Sequence, residues 1–191
     1  GLSKAPSFVI MKHVNNSSDW FVVHTGIESV GKILYTNNNS QQDTSSDFGS
    51  AWPGATYNAT STTGVNGREL ILYSWTNTPG LQWFGQYEGN GDASEGVYVN
   101  LGFRPAMLWI KRTGSSGNWY LWDNKRETIN PRENVIRTDN YHGEDVNSTA
   151  LLDFLDYGFK LYNTGGDVNS DGAKYLYMAW AEQPSFNLYG S

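Results

Sequence analysis

Residues 122–126 read Trp-Asp-Asn-Lys-Arg, which places an indole ring beside a carboxylate, an amide and two cations. An aromatic ring offers the C–H face of a sugar an apolar platform, and neighbouring amide and carboxylate groups can bind its hydroxyls. Another indole, Trp52, stands in an Ala-Trp-Pro-Gly loop, where burial of a large ring is hard to arrange. We therefore predict a ligand-binding set of Trp52, Trp83, Trp122, Asp123, Asn124 and Arg126.

Catalytic groups are harder to find. The chain has no Cys, and its three His residues, at positions 13, 24 and 142, do not fall into a metal-binding spacing. A glycosidase needs two carboxyl groups about 5–10 Å apart, one of them protonated. The acidic groupings lie in polar segments with no apolar neighbour to favour a protonated acid: Glu88, Asp92 and Glu95; Glu144 and Asp145; Asp153 and Asp156. We predict that the domain is not an enzyme.

A calcium-loop pattern occurs once. Residues 167–172 read Asp-Val-Asn-Ser-Asp-Gly, which matches the opening of a D-x-[DN]-x-[DN]-G loop. An EF-hand would have Glu at position twelve, where this chain has Met178 inside a strand-like run. We favour a β-turn held by Asn and Asp side chains. The alternative is a Ca²⁺ site with the ligands Asp167, Asn169 and Asp171, and no other cofactor is predicted.

Composition excludes two classes of partner. The 191 residues carry 13 Lys and Arg against 19 Asp and Glu, a net charge of -6, so no basic surface is expected for nucleic-acid phosphates. No apolar run approaches the roughly 20 residues of a membrane span, so no membrane insertion is expected. Aromatic residues reach 15%, which indicates a folded, ring-rich domain and not a disordered chain.

Short runs of β-branched and aromatic residues, bounded by Gly, Pro, Asn and Ser, predict strands. The predicted strands are residues 8–12, 20–24, 32–35, 69–75, 97–101, 107–111, 119–122, 159–162 and 175–180. A single helical turn is predicted over residues 148–157, where three Leu residues have helical spacing before Gly158. The predicted fold class is all-β, a β-sandwich or jelly roll of the concanavalin-like or lectin-like kind.

The sequence also matches itself. The matching segments are residues 6–12 with 105–111 at an offset of 99, and residues 70–75 with 175–180 and 84–85 with 189–190 at an offset of 105. These matches predict two tandem related units, residues 1–86 and 87–191, either as separate sandwiches or merged into one pair of sheets. The first unit lacks a counterpart of residues 87–99, so we expect it to have an open sheet edge that can pair with another chain.

The repeat sorts the tryptophans into two groups. Trp20 matches Trp119, and Trp75 matches Trp180, which predicts that each pair fills an equivalent core position in the two units. Tryptophans without a match have no such shared core position. The ligand-binding prediction therefore rests on the unmatched ones, among which Trp109 is a further candidate.

Four segments carry a resemblance to a known family: residues 83–91, 102–112, 119–123 and 177–182. Their motifs include Tyr-Glu-Gly-Asn-Gly, Gly-Phe-Arg-Pro and a final Tyr-Met-Ala-Trp-Ala-Glu. In these motifs the chain resembles a tandem-repeat β-domain of tail-fibre and other virion proteins of tailed phages, notably marine phages. The resemblance implies a domain on the extracellular face of a virion, in its tail or fibre, and no assigned reaction.

Together these features predict a non-catalytic adhesion module that binds host surface carbohydrate. Weak sites repeated along a fibre would gain affinity through multivalency. Two alternatives stay open: a structural spacer or oligomerisation domain that binds other fibre or virion subunits, including further copies of itself, and a glycan depolymerase.

Overall fold

The computed structural model describes residues 4–15, 17–27, 31–44, 69–146 and 150–184, which form fourteen β-strands and no helix. The strands are β1 (Phe8–His13), β2 (Phe21–His24), β3 (Lys32–Tyr35), β4 (Asp43–Thr44), β5 (Leu70–Trp75), β6 (Gln82–Glu88), β7 (Tyr98–Asn100), β8 (Pro105–Arg112), β9 (Trp119–Asp123), β10 (Asn134–Arg137), β11 (Asp145–Val146), β12 (Leu152–Leu155), β13 (Gly158–Leu161) and β14 (Lys174–Ala181). None of the described residues forms a helix that could span a membrane.

The strands build three antiparallel sheets. The first has five strands in the order β4-β3-β2-β1-β5, the second has six in the order β11-β10-β9-β8-β14-β6, and the third has three in the order β12-β13-β7. These sheets confirm the predicted all-β fold class, and their arrangement is consistent with a β-sandwich. The jelly-roll and lectin-like subtypes stay predictions.

All nine predicted strands are confirmed to within two residues at each end. The predicted helical turn over residues 148–157 is wrong, because β12 and β13 form a hairpin there, with Leu152 opposite Leu161. Leu152 and Phe154 are buried, whereas Asp153 is partly exposed. This period-two burial is that of a half-buried strand, and the leucine spacing that indicated a helix is incidental.

Two apolar layers fill the spaces between the sheets. The larger layer lies between the six-stranded and three-stranded sheets and includes Tyr120, Trp122 and Phe154. The other layer lies between the five-stranded and six-stranded sheets, where Phe8 packs near Phe84. The six-stranded sheet is therefore covered on both faces, which accounts for the nearly continuous burial along β14.

The first two sheets share strand order and register. The order β4-β3-β2-β1-β5 corresponds to β11-β10-β9-β8-β14. Met11 lies opposite Leu72 in one sheet, and Ile110 lies opposite Tyr177 in the other. Adding 99 to the number of each β1 residue and 105 to that of each β5 residue gives a residue pair of β8 and β14. This holds for all six β1–β5 pairs. β6 continues across the unit boundary predicted after residue 86 and pairs with β14.

Candidate functional site

The loop after β9 contains three of the predicted ligand-binding residues. Asp123 Oδ1 accepts hydrogen bonds from the backbone N–H groups of Lys125 and Arg126, each at 2.8 Å, and Oδ2 lies 2.6 Å from Arg126 Nε. Burial opposes ionisation of Asp123, but the hydrogen bonds from Arg126 and Lys125 outweigh it and lower its pKa. Asp123 and Arg126 therefore shape this loop, and Asn124 is the residue between them that contacts another segment.

The structure corrects the prediction that Trp122 presents its ring to solvent. Its side chain is 0% exposed and stacks beside Tyr120, with 5.9 Å between ring centroids. The three-stranded sheet covers this face of β9, so the indole is part of the core and cannot stack against a sugar at the surface. Trp83 is half-buried and packs against the same core layer, and Trp52 lies outside the described residues.

A polar cleft of about 340 Å³ opens where β14 ends and β8 begins, and Gly102, Phe103, Arg104, Asp156, Glu182 and Gln183 line it. Arg104 Nε lies 3.2 Å from Glu182 Oε2, and Arg104 Nη1 lies 3.4 Å from Asp156 Oδ1. Asn124 Nδ2 donates to Glu182 Oε1 at 2.6 Å. The cleft thus brings an amide, a guanidinium and two carboxylates into one hydrogen-bonded group.

Three chain segments hold this group in place. Arg104 directly precedes β8, and its carbonyl accepts a hydrogen bond from the Glu182 N–H at 2.9 Å. A register shift at Trp180 and Ala181 ends the regular pairing of β14 with β8 just before Glu182. On the opposite side, Gly102 has a φ of 75° and its N–H donates to the Tyr157 carbonyl. That backbone conformation favours Gly, so the turn before Arg104 depends on this residue.

The cleft is open to water and its ion pairs are partly exposed. The side chain of Asp156 is 85% exposed, and those of Arg104 and Glu182 are each 36% exposed. Solvent screening makes such pairs weak contributors to stability, so their groups can exchange partners at little cost. Tyr157, which follows Asp156, presents a ring that is 66% exposed. Exchangeable polar groups and a nearby exposed ring are the chemistry that sugar hydroxyls and C–H faces require.

Sequence reasoning found Asn124 and missed its partners in the cleft. Arg104 and Glu182 stand in two of the segments that carry the family resemblance, so a signal for them existed. Asp156 entered only as an acid next to Asp153, yet Asp153 lines a different groove beside Pro131. Arg104 lies 52 positions before Asp156 and 78 before Glu182 in the sequence, so no local pattern indicates that they meet.

The structure does not support a calcium site built on Asn169. This side chain is buried, and its Nδ2 donates to Asn90 Oδ1, the Asp92 carbonyl and the Asn163 carbonyl. Its Oδ1 accepts the N–H of Asn90 at 3.1 Å, so its polar atoms hold two loops together. Among the described residues, no group of three or more acidic or His side chains could hold a metal. Asp167 and Asp171 therefore lack the central ligand that the sequence pattern assigned to them.

Buried ionisable groups lie elsewhere, between the first two sheets. His24 Nδ1 accepts the Gly26 N–H at 2.9 Å, which leaves Nε2 to donate to the Tyr177 carbonyl at 3.3 Å. Burial lowers the pKa of His24 to about 4, so the ring is neutral near pH 7. Both ring nitrogens are used in packing the sheets, which indicates a structural role.

Comparison with known proteins assigns the chain to a family. A domain of unknown function, DUF7483, matches residues 1–184. The chain belongs to this family. No curated protein and no solved structure matches the chain. Membership in the DUF7483 family covers nearly the whole chain, including the cleft and all fourteen strands.

Proposed function

We propose that this domain is a non-catalytic adhesion module of a tailed-phage virion protein, located in the tail or fibre, and that it binds carbohydrate on the host surface. The observation that carries the proposal is the cleft at the end of β14, where Asn124, Arg104, Asp156 and Glu182 form one exposed hydrogen-bonded group. The proposed ligand is a polyhydroxylated glycan, whose hydroxyls can replace the contacts between these side chains.

Binding without catalysis fits the way the two carboxylates are paired. Asp156 and Glu182 each form an ion pair with Arg104. Glycoside hydrolysis needs one carboxylic acid that is protonated and aimed at the leaving oxygen. The depolymerase alternative would need one of the two cleft carboxyl groups to leave Arg104 and face the leaving oxygen of a bound sugar. A reducing-sugar assay after incubation with host polysaccharide would detect such an activity, and release of sugar ends would contradict the proposal.

A glycan array followed by titration calorimetry tests the binding site. Asn124→Ala and Arg104→Ala should each weaken binding of a captured glycan roughly 10-fold to 100-fold, because each removes a hydrogen bond that involves a charged group. The matched control is Arg137→Ala, which removes a surface ion pair with Asp145 on β10 and β11, away from the cleft. Unchanged binding in both cleft variants, or equal loss in the control, would refute this site.

The structural spacer is the second candidate function, and the outer edge of β5 favours it. β5 is the last strand of its sheet, and three consecutive apolar residues on it are exposed: Ile71, Leu72 and Tyr73. An edge of this kind can accept a strand from another chain. Sedimentation analysis of the full chain discriminates the two candidates, since a spacer should self-associate at micromolar concentration and an adhesion module can remain monomeric.

A further inference from the structure

A second concavity lies on the outer face of the three-stranded sheet, along its edge strand β12. This groove has a volume of about 390 Å³, and Asn130, Pro131, Leu151, Asp153 and Tyr162 line it. Leu151 and Asp153 flank Leu152, whose side chain is buried in the core, so these two side chains point to the outer face. The Tyr162 N–H donates to the Leu151 carbonyl at 3.0 Å, which places Tyr162 beside Leu151. Leu151 and Asp153 therefore form a floor, and Tyr162 forms one wall.

The other wall is the chain segment that precedes β10, which is fixed to the free side of β12 at two points. Asn130 Nδ2 donates to the Phe154 carbonyl at 3.0 Å, and Asn130 Oδ1 accepts the Phe154 N–H at 3.1 Å. Arg132 and Leu152 exchange two backbone hydrogen bonds, at 2.7 and 3.2 Å. Pro131 lies between these attachments and is held against β12. The groove is therefore preformed, which lowers the entropic cost of binding a ligand.

Charges of both signs lie beside this groove. Asp153 on its floor is opposite Lys160 on β13. Lys160 Nζ lies 5.1 Å from the centroid of the Tyr162 ring and 3.9 Å from Glu95 Oε2. An ionic ligand of either sign would meet a like charge here, that of Lys160 or those of Asp153 and Glu95. A neutral ligand with hydroxyl groups meets an acceptor, a donor and an aromatic wall, so the groove favours a neutral sugar.

Asp153 also has hydrogen-bonding capacity that the described part of the chain does not use. Its Oδ1 is buried and has no hydrogen-bond partner among the described residues. A buried acceptor without a donor is costly, so rotation of the carboxylate toward a ligand hydroxyl would be favourable. Burial and the neighbouring Asp153 carboxylate raise the pKa of Tyr162, so its phenol stays protonated near pH 7 and can donate. The groove thus offers a sugar both an acceptor and a phenol donor.

The groove and the cleft lie along the same strand. Asp153 lines the groove, and Asp156, three positions later, lines the cleft. Three extended residues span at most about 10 Å, so the two sites are within reach of one short run of linked sugars. Leu155, the next residue after Asp153 on the outer face of β12, lies between them and is half-buried. A glycan that starts in the cleft can therefore follow β12 into the groove.

We propose that the groove is a second sugar subsite, and that groove and cleft together bind a linear, neutral oligosaccharide along β12. This inference rests on the proposed function, because it assigns the cleft to the same glycan. Tyr162 and Pro131 flank one sugar ring while Asp153 accepts a hydrogen bond from its hydroxyls. Asn124 and Arg104 hold another sugar of the same chain in the cleft. Once one sugar is bound, the next binds intramolecularly, which raises the affinity for long chains.

The dependence of affinity on oligosaccharide length tests the proposal. The probes are oligosaccharides from disaccharide to octasaccharide, cut from a neutral polysaccharide that the glycan array captures and separated by size. Titration calorimetry with the full chain should give an affinity that rises at least about 10-fold from the disaccharide to the longer probes and then levels off, when both subsites are filled. Equal affinity at every length would overturn the proposal, and so would capture of acidic polysaccharides alone.

Variants of the aromatic wall locate the second subsite. Tyr162→Ala should weaken binding of the octasaccharide about 3-fold to 10-fold and leave disaccharide binding unchanged, because it removes a ring from the groove alone. Tyr162→Phe keeps the ring and should keep most of this affinity, and a loss equal to that of Tyr162→Ala would count against a ring contact. The matched control is Tyr98→Ala on β7, an exposed tyrosine two strands from β12 that should not affect binding. Thermal unfolding checks that each variant is folded.

Asn124→Ala separates this proposal from the adhesion proposal, because it acts in the cleft and should weaken binding of every probe. If it does so and Tyr162→Ala weakens none, the second subsite is refuted and the adhesion proposal stands. If the array captures no glycan, both proposals fail. Sedimentation of Tyr162→Ala tests another occupant of the groove. Reduced self-association with unchanged glycan binding would assign the groove to a contact between copies of the chain and overturn the proposal.

Discussion

The five-stranded and six-stranded sheets share strand order and register but differ in what covers them. The three-stranded sheet covers the outer face of the six-stranded sheet, and no described strand covers the outer face of the five-stranded one. Matched residues also differ in burial within the layer between these two sheets: Trp119 is 0% exposed and packs there beside Phe8 and Val22, whereas its counterpart Trp20 is 39% exposed. The comparison teaches that main-chain pairing can recur while the environment of each side chain is set by neighbouring layers.

The two matched lysines, Lys12 and Lys111, make equivalent hydrogen bonds but differ in burial. Lys111 Nζ donates to the carbonyls of Arg112 and Gly117, and Lys12 Nζ donates to the His13 carbonyl and reaches Ser18 Oγ. The partners are one and six positions ahead in both cases. Lys111 is fully buried, and burial lowers its pKa to about 8, whereas Lys12 is half-buried.

The largest expected effect comes from removing the buried member of the tryptophan pair. Trp119→Ala should lower the free energy of unfolding by about 3–5 kcal/mol, because it leaves a cavity and removes the donor to the Tyr35 carbonyl. Trp20→Ala should cost about 1 kcal/mol, as its ring is already partly in water. Urea unfolding of both variants gives the comparison. Equal losses would show that the two sheets do not differ as described.

The next largest expected difference between the two sheets is in the pH dependence of stability. The counterpart of His24 in the six-stranded sheet is Asp123, so that sheet has no His at this position. The pKa of His24 is about 4 when folded and about 6.5 when unfolded, so between these values the unfolded state binds the extra proton. His24 should therefore reduce stability as the pH falls from 6.5 to 4, by about 3 kcal/mol in total. Thermal unfolding of wild type and His24→Asn from pH 7 to pH 4 tests this. A slope that persists unchanged in His24→Asn would contradict it.

The smallest effect concerns the lysines. Lys111→Met should lower the free energy of unfolding by about 1–3 kcal/mol, because the partly buried carbonyls of Arg112 and Gly117 lose a charged donor. Lys12→Met, the matched control, should cost less than about 1 kcal/mol, since solvent can replace its contacts. Chemical denaturation at pH 7 measures both. A larger loss in the control would mean that burial does not distinguish this pair.

Strands and their register were the most predictable part of the molecule. Alternating residues and turn residues identified nine strands. Matching segments differ in residue number by 99 for β1 and β8 and by 105 for β5 and β14, and β8 pairs with β14 in the same register as β1 with β5. The strands that the sequence did not reveal include the two-residue β4 and β11, which are too short for alternation to be visible. The hairpin of β12 and β13 was misread because three leucines fit a helical spacing as well.

The candidate site was less predictable. Asn124 was found because it follows a conspicuous tryptophan, yet that tryptophan, Trp122, is buried and the residues that contact Asn124 lie far away in sequence. Arg104 and Glu182 meet because β8 begins where its neighbour β14 ends. Side-chain proximity across strand ends depends on the sheet order, which local patterns do not encode.

Secondary structure, fold class and the absence of cysteine chemistry follow from the amino-acid sequence alone, since each depends on residues close together in the chain or on composition. Tertiary structure decided which tryptophans are buried and which polar groups share a cleft. The physical reason is that a strand has two faces and two ends. What lies against a face or beside an end is supplied by segments that are distant in sequence, as the three-stranded sheet does for Trp122.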